Sequence, residues 1–339
     1  MKRSVRTAIA FTIAPLCLCA NAGAKIVTFQ PPANAYSIRP SSINDQGQVI
    51  GTIVDYYPQL IHGFLWQPAG GLKTFDVPVP LMKKSDDGNE ITIPTGITAD
   101  GVIIGSYGQP FFYGGGFVRA ADGSITTFQA GPGHSTFVSG TNRKGWTVGE
   151  WGGDHAFLRD PSGATKAFSV PGAAGGVLSA VVNRSRAIAG AVSLQNDIRY
   201  GVRFFFQPAH GTAAMFGHTY RWVSVTGIND AGTVSGWLED STQTAAFVSS
   251  IDGKLKIFVA PNGSRETQAW GINNSGTIVG SFYDSSGQGH GFLRTAHGTF
   301  TPFDYPGASW TEIRAINDKG AIAGSYGTND GTFGFAGKP

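Results

Sequence analysis

One phrase recurs through this chain, and its spacing limits what the chain can fold into. It reads INDQGQVIG from Ile43, INDAGTVSG from Ile228, INNSGTIVG from Ile272 and INDKGAIAG from Ile316. Aligned on its second glycine, the phrase or its variants stand at Gly51, Gly105, Gly149, Gly190, Gly236, Gly280 and Gly324. A phenylalanine follows about a dozen residues later: Phe64, Phe117, Phe157, Phe204 or Phe205, Phe247, Phe292 and Phe335. A second follows that one: Phe75, Phe128, Phe168, Phe216, Phe258 and Phe303. The last copy lacks it, and the missing piece matches the other end of the chain, where KIVTFQPPANAYS with Phe29 resembles TFTPFDYPGAS with Phe303. Self-similarity at one period marks a repeat architecture.

Each copy holds four short runs of β-branched and aromatic residues, broken by Gly, Asn, Asp or Pro. In the sixth they are TQAWGI, TIVGSF, HGFLRT and TFTPFDY, and this alternation suits strands. NNSG and NDKG place Asn first and Gly last, as a type I turn followed by a left-handed residue requires. The fourth copy, VNRSRAIAG, carries Arg186 in place of that glycine, so a different turn is expected there. Four strands per unit and seven units predict an all-β, seven-bladed β-propeller of four-stranded blades, its last blade closed by the N-terminal strand. The alternative, an open β-solenoid, gives no reason to split a repeat and calls for polar caps.

Residues 1–24 read as a cleaved signal peptide, leaving 25–339 as a single propeller domain. Lys2, Arg3 and Arg6 precede an apolar run from Ala8 to about Ala20, closed by small residues at Ala20-Asn21-Ala22 and Ala22-Gly23-Ala24. A lipoprotein anchor is disfavoured, because Leu18 precedes Cys19 and Leu16 precedes Cys17. Both cysteines lie in this leader, so the processed chain rests on burial and hydrogen bonding without disulfides. The leader also carries three of the 25 basic residues, which leaves 22 against 22 acidic ones. A neutral chain has no electrostatic means of attracting nucleic acid. No later run is long and apolar enough to span a bilayer. The expected location is secreted or periplasmic.

The phrase GINNSGTIVGSFYD…GHGFLRT…GTFTPFDYPGAS resembles the HAF-type extracellular repeat of exported bacterial proteins. The triplet itself stands at His155-Ala156-Phe157, with variants at His62-Gly63-Phe64 and His290-Gly291-Phe292. The resemblance covers essentially the whole processed chain. It implies an exported, propeller-like protein and brings no catalytic residue with it.

Propellers usually bind ligands on the face carrying the connections between blades, which puts the NDxG turns on the opposite face. Two features fall on that connection face. The link from Phe75 to Thr98 takes 23 residues against 13 to 15 elsewhere, and contains Lys83, Lys84, Asp86, Asp87 and Glu90. Residues 77–95 therefore form a solvated loop, a lid or a Ca²⁺ loop, although DDGNE lacks the spacing of known calcium loops. The loops after the second strands place Glu150, Trp151, Asp154, Trp237, Glu239, Asp240, Tyr283 and Asp284 near one rim. Aromatic faces beside carboxylates suit a sugar, whose apolar ring face stacks while its hydroxyls bond to the acids. Trp151, Asp154, Trp237, Glu239, Asp240, Tyr283 and Asp284 are thus the candidate ligand-binding residues, set against a purely structural role in packing between blades. His62, His155 and His290 share one register but belong to copies one, three and six. Internal bonding explains them more simply than a shared zinc ion, so neither metal nor cofactor is expected.

No nucleophile, phosphate-loop or dinucleotide motif is present, and the sialidase-type S-x-D-x-G-x-T-W box is missing. The function read from the sequence is a binding module for a glycan or other surface polymer. Its alternatives are a polysaccharide lyase or glycoside hydrolase working at the channel mouth, and a protein-interaction scaffold.

Overall fold

The computed structural model describes residues 25–56, 60–78, 91–109, 112–132, 135–153, 155–194, 201–250, 253–261 and 266–339. The leader, Asp154 and most of the 77–95 loop, with its lysines and acids, lie outside the described residues. All regular structure among the described residues is β-strand. Antiparallel four-stranded groups follow one another over residues 35–75, 91–128, 136–168, 177–220, 222–258 and 266–303, each with its strands in chain order. Single parallel pairs, Ile61 with Ile91 and Thr244 with Glu266, link two sets of neighbours into eight-stranded sheets. The last group is Trp310–Ile316, Ile322–Thr328 and Gly331–Gly337, and its fourth strand is Ile26–Phe29. No described sheet closes on itself.

The repeated glycine has a steric cause. In every group it lies opposite a first-strand carbonyl and the first repeated phenylalanine: Gly280 faces Gln268 O and the Phe292 ring, Gly324 faces Glu312 O and Phe335. A Cβ there would collide with backbone, which cannot move aside. The close approach lets the phenylalanines sink fully, and Phe64, Phe117, Phe157, Phe205, Phe247, Phe292 and Phe335 are all 0% exposed. Each such burial stabilises the fold by about 2–3 kcal/mol. Register settles the fourth copy, since Gly190 pairs with Phe205. It also gives Phe29 the place opposite Gly334 that Phe303 holds opposite Gly291. Phe29 stacks on Trp66 at 5.1 Å and shares a core with Phe64, Ala315 and Ala336, so it joins the first and last repeats.

In five copies the turn after the first strand is closed by the Gly N–H donating to Asn O, as Gly276 N does to Asn273 O at 3.0 Å, and in the second Gly101 N donates to Thr98 O. The glycines adopt φ between 76° and 88°. The fourth copy does not turn differently. Arg186 takes φ 72° itself and donates its N–H to Asn183 O at 3.0 Å, a left-handed conformation that costs a side-chain-bearing residue about 1–2 kcal/mol. Hydrogen bonding by Asn183 holds it there, since Oδ1 accepts the N–H of Ser185 and Ala187.

Candidate functional site

The first strands carry a repeated irregularity. In six groups, pairing with the second strand slips at the residue three before the motif Asn or its equivalent, skipping Ser41, Thr95, Ser139, Thr226, Trp270 and Arg314. The fourth group slips at Leu178 instead. A bulge leaves its residue unpaired and re-aims the side chain. Here the bulged residues line adjoining cavities. Cavities of about 410, 200 and 160 Å³ succeed one another along the first strands, and every group contributes to each of them.

At the turn end the space is tied off. Asn142 Nδ2 donates to Asn183 O (2.7 Å), Asn183 to Asn229 O (3.2 Å), Asn229 to Asn273 O (3.4 Å), Asn273 to Asn317 O (3.1 Å), Asn317 to Asn44 O (2.9 Å) and Asn44 to Thr98 O (3.2 Å). Where Thr98 replaces Asn, Ala99 N donates to Arg143 O at 3.1 Å. The residues after these asparagines add a polar layer. Arg143 Nη1 donates to Asp45 Oδ2 (2.5 Å) and Asp318 Oδ2 (2.7 Å), and Asn274 Nδ2 to Asp230 Oδ2 (2.9 Å) and Asp318 Oδ2 (2.7 Å). Arg143 thus ties the third repeat to the first and the last.

The opposite end holds the 410 Å³ cavity, within the roughly 300–1,000 Å³ typical of small-molecule sites. Its lining includes Ser41, Thr95, Ser139, Ser179, Ser224 and Thr226, together with Arg39, Trp270 and Arg314. The hydroxyls of Ser41, Thr95 and Thr226 donate to Pro94 O, Val138 O and Ala269 O of the next first strands. The Arg314 guanidinium lies over the Trp270 ring at 3.9 Å, and Trp270 Nε1 donates to Ser281 Oγ at 3.0 Å. Arg314 Nε sits 2.8 Å from Glu312 Oε1, but the carboxylate is off the N–H direction, so the contact is ionic without a hydrogen bond. Ser139 Oγ and Trp237 Nε1 are also buried without hydrogen-bond partners. Buried unpaired donors beside a cavity call for an explanation.

The candidates from the sequence separate into different settings. Trp151 stands edge-on to His155 at 4.1 Å and packs on the core of Ile104, Val138 and Phe157. Trp237 is half-buried, 6.3 Å from Trp270, and Tyr283 is 45% exposed. Burial, then Glu266 and Glu312, hold the Tyr283 phenol above its ordinary value. Trp237 and Tyr283 therefore border the Trp270–Arg314 cluster, whereas Trp151 lies in a separate core. Glu239 pairs with Arg221 at 3.0 Å on the surface. Asp240 and Asp284 close their own turns. Asp240 Oδ1 accepts from Thr242 N, Thr242 Oγ1 and Gln243 N. Asp284 Oδ1 accepts from Ser286 N, Ser286 Oγ and Gln288 N. Both carboxyls are lowered by these bonds, that of Asp284 to about 2.

The histidines bond within their repeats. His62 lies between Asp76 (Nδ1, 2.9 Å) and Asp55 (Nε2, 3.3 Å), and His290 between Asp304 (Nδ1, 2.8 Å) and Asp284 (Nε2, 3.4 Å). Burial opposes protonation of His62, but Asp76 and then Asp55 outweigh it and hold the imidazole above its ordinary value. Arg39, Trp270 and Arg314 lie on first strands and not in the loops from which the sequence candidates come. A signal existed: three before the motif Asn the copies read Ser, Thr, Ser, Ala and Thr, then break to Trp270 and Arg314.

No protein-family model and no curated protein matches the chain. Solved structures do. A streptogramin B lyase is 11% identical over 93% of this chain and 98% of its own, with a TM-score of 0.60. An inactive virginiamycin B lyase from Staphylococcus aureus with quinupristin gives 11%, 93%, 100% and 0.60. A prolyl endopeptidase gives 11% over 86% of this chain and 46% of its own, with 0.59. At that identity the likeness is one of fold, and it places the chain among proteins of β-propeller architecture.

Proposed function

We propose that the chain is an exported, seven-bladed β-propeller, closed by its N-terminal strand, which binds a glycan or other extracellular polymer at the connection-side end of the axial space. Several observations support closure: the pairing of Ile26–Phe29 with Gly331–Gly337, the Asn317-to-Asn44 bond and the core shared by Phe29, Phe64 and Ala336. The resemblance to HAF-type repeats and the signal-like leader support export. The observation that carries binding is the asymmetry of the axial space. One end is tied off by Arg143 and the asparagines, and the other is a 410 Å³ cavity of hydroxyls, guanidiniums and an indole.

Hydrolysis by paired carboxylates finds little support. Among Glu239, Asp240, Asp284 and Glu312, only Glu312 contacts a residue lining the cavity, through Arg314. The test is a panel of polysaccharides against residues 25–339, with product analysis of the same mixtures. Saccharide binding that Trp270→Ala abolishes, with no cleavage products, is the expected result. Cleavage products, or no binding to any polysaccharide, overturn the reading. Export is checked by mass spectrometry of the released protein, whose first residue should be Lys25.

A further inference from the structure

Arginine is a demanding residue to leave without an acceptor, because its five N–H donors are fixed in a planar fork. Nearly all the described arginines are committed. Arg143, Arg184 and Arg221 pair with carboxylates. Arg119, Arg159 and Arg294 lie over Phe75, Phe128 and Phe258. Arg186 meets His210 and the Trp146 ring, and Arg203 donates to Gly217 O. Among the described residues, the exposed Arg39 side chain has no hydrogen bond, ion pair or ring contact, and the Arg314 guanidinium makes no hydrogen bond. These two line the same 410 Å³ cavity. They come from the first and last repeats, whose strands are joined there by Ser325 Oγ donating to Ile38 O at 3.0 Å. Trp270 covers one side of the Arg314 guanidinium and Glu312 lies beside its Nε, and neither Nη group donates a hydrogen bond within the chain.

We propose that Arg39 and Arg314 form a carboxylate-recognition site at the junction of the first and last repeats, and that the saccharide bound there is a uronate. This deepens the reading of the cavity as a saccharide site and rests on it. Two guanidinium groups facing one planar carboxylate make charge-assisted, bidentate bonds. The surrounding serine and threonine hydroxyls suit the sugar's own hydroxyls. With Glu312 the three groups sum to one positive charge. Glu266 lies farther along the sixth first strand, paired in register with Tyr283.

The test is calorimetric titration of residues 25–339 with three oligomers of equal length: hexagalacturonate, its fully methyl-esterified form and a sulfated neutral hexasaccharide. Hexagalacturonate should bind about tenfold or more tightly than the ester. Arg39→Gln and Arg314→Gln should each remove that preference, weakening hexagalacturonate binding about tenfold more than ester binding. Arg203→Gln, which removes an equal charge elsewhere, should change nothing, and thermal melts confirm that the variants fold. Equal affinity for acid and ester, or a preference that survives both substitutions, overturns the uronate site but leaves saccharide binding standing. Tighter binding of the sulfated oligomer overturns the carboxylate assignment. No binding of any oligomer overturns both this inference and the function beneath it.

Discussion

The two ends of the space lined by the first strands lie a few residues apart along those strands, yet they are chemically opposite. At the turn end, asparagines with a few per cent exposure or less close their own turns with Oδ1 and reach the next repeat with Nδ2. At the other end the exposed Arg39 side chain has no partner within the chain, and Arg314 lies on the Trp270 ring beside Glu312 without a hydrogen bond. A buried polar group must be paired or it costs stability. The turn end therefore reads as the fastening of the fold, and the cavity end as surface held open for something else.

That contrast can be broken by substitution. The largest effect is expected where the chain ends meet. Phe29→Ala removes a ring packed on both Phe64 and Trp66 and should cost about 4 kcal/mol in urea unfolding. Deleting Ile26–Phe29 should cost more, and an unchanged melting temperature would refute closure through this strand. Next, Asn317→Ala strands the N–H groups of Lys319 and Ala321 and the carbonyl of Asn44. A loss of about 3 kcal/mol is expected.

Arg143 and the cavity arginines sharpen the comparison further. Arg143→Ala should cost about 1 kcal/mol, because its ion pairs are partly exposed, and the loss should shrink in high salt. Arg39→Gln should change stability by less than about 0.5 kcal/mol. If Arg39→Gln destabilised the protein as much as Arg143→Ala, the assignment of roles to the two ends would fail.

The smallest effect is a dependence on pH. The folded pKa of His62 is raised, so its contribution is complete below 6.5 and disappears as pH rises through the folded value. Asp284 has the opposite sign. Its contribution is present above 3.8 and is lost as pH falls through about 2. The stability difference between the wild type and His62→Gln, measured from pH 5 to 8, should therefore narrow as pH rises.

Much of the architecture was legible because it is spelled many times. A glycine required by a nearby carbonyl, a phenylalanine required beneath it and an asparagine required by a turn repeat wherever the unit repeats. Arg186 shows where that reading misleads. The missing glycine suggested a new turn, but a turn already fixed by Asn183 forced the arginine into the left-handed region. Asp240 and Asp284 mislead in another way. As sequence they resemble ligand groups, and only the structure shows their Oδ1 atoms held by neighbouring N–H and hydroxyl groups.

By itself the sequence determined the repeat, its strands and turns, and the pairing partner proposed for the final unit, since these depend on local sterics and a period. Tertiary structure alone decided which side chains share a cavity. Arg39 and Arg314 are 275 residues apart in the chain, and nothing local to either position tells which cavity its side chain will line or whether an acceptor waits there. Such meetings depend on the packing of the whole molecule.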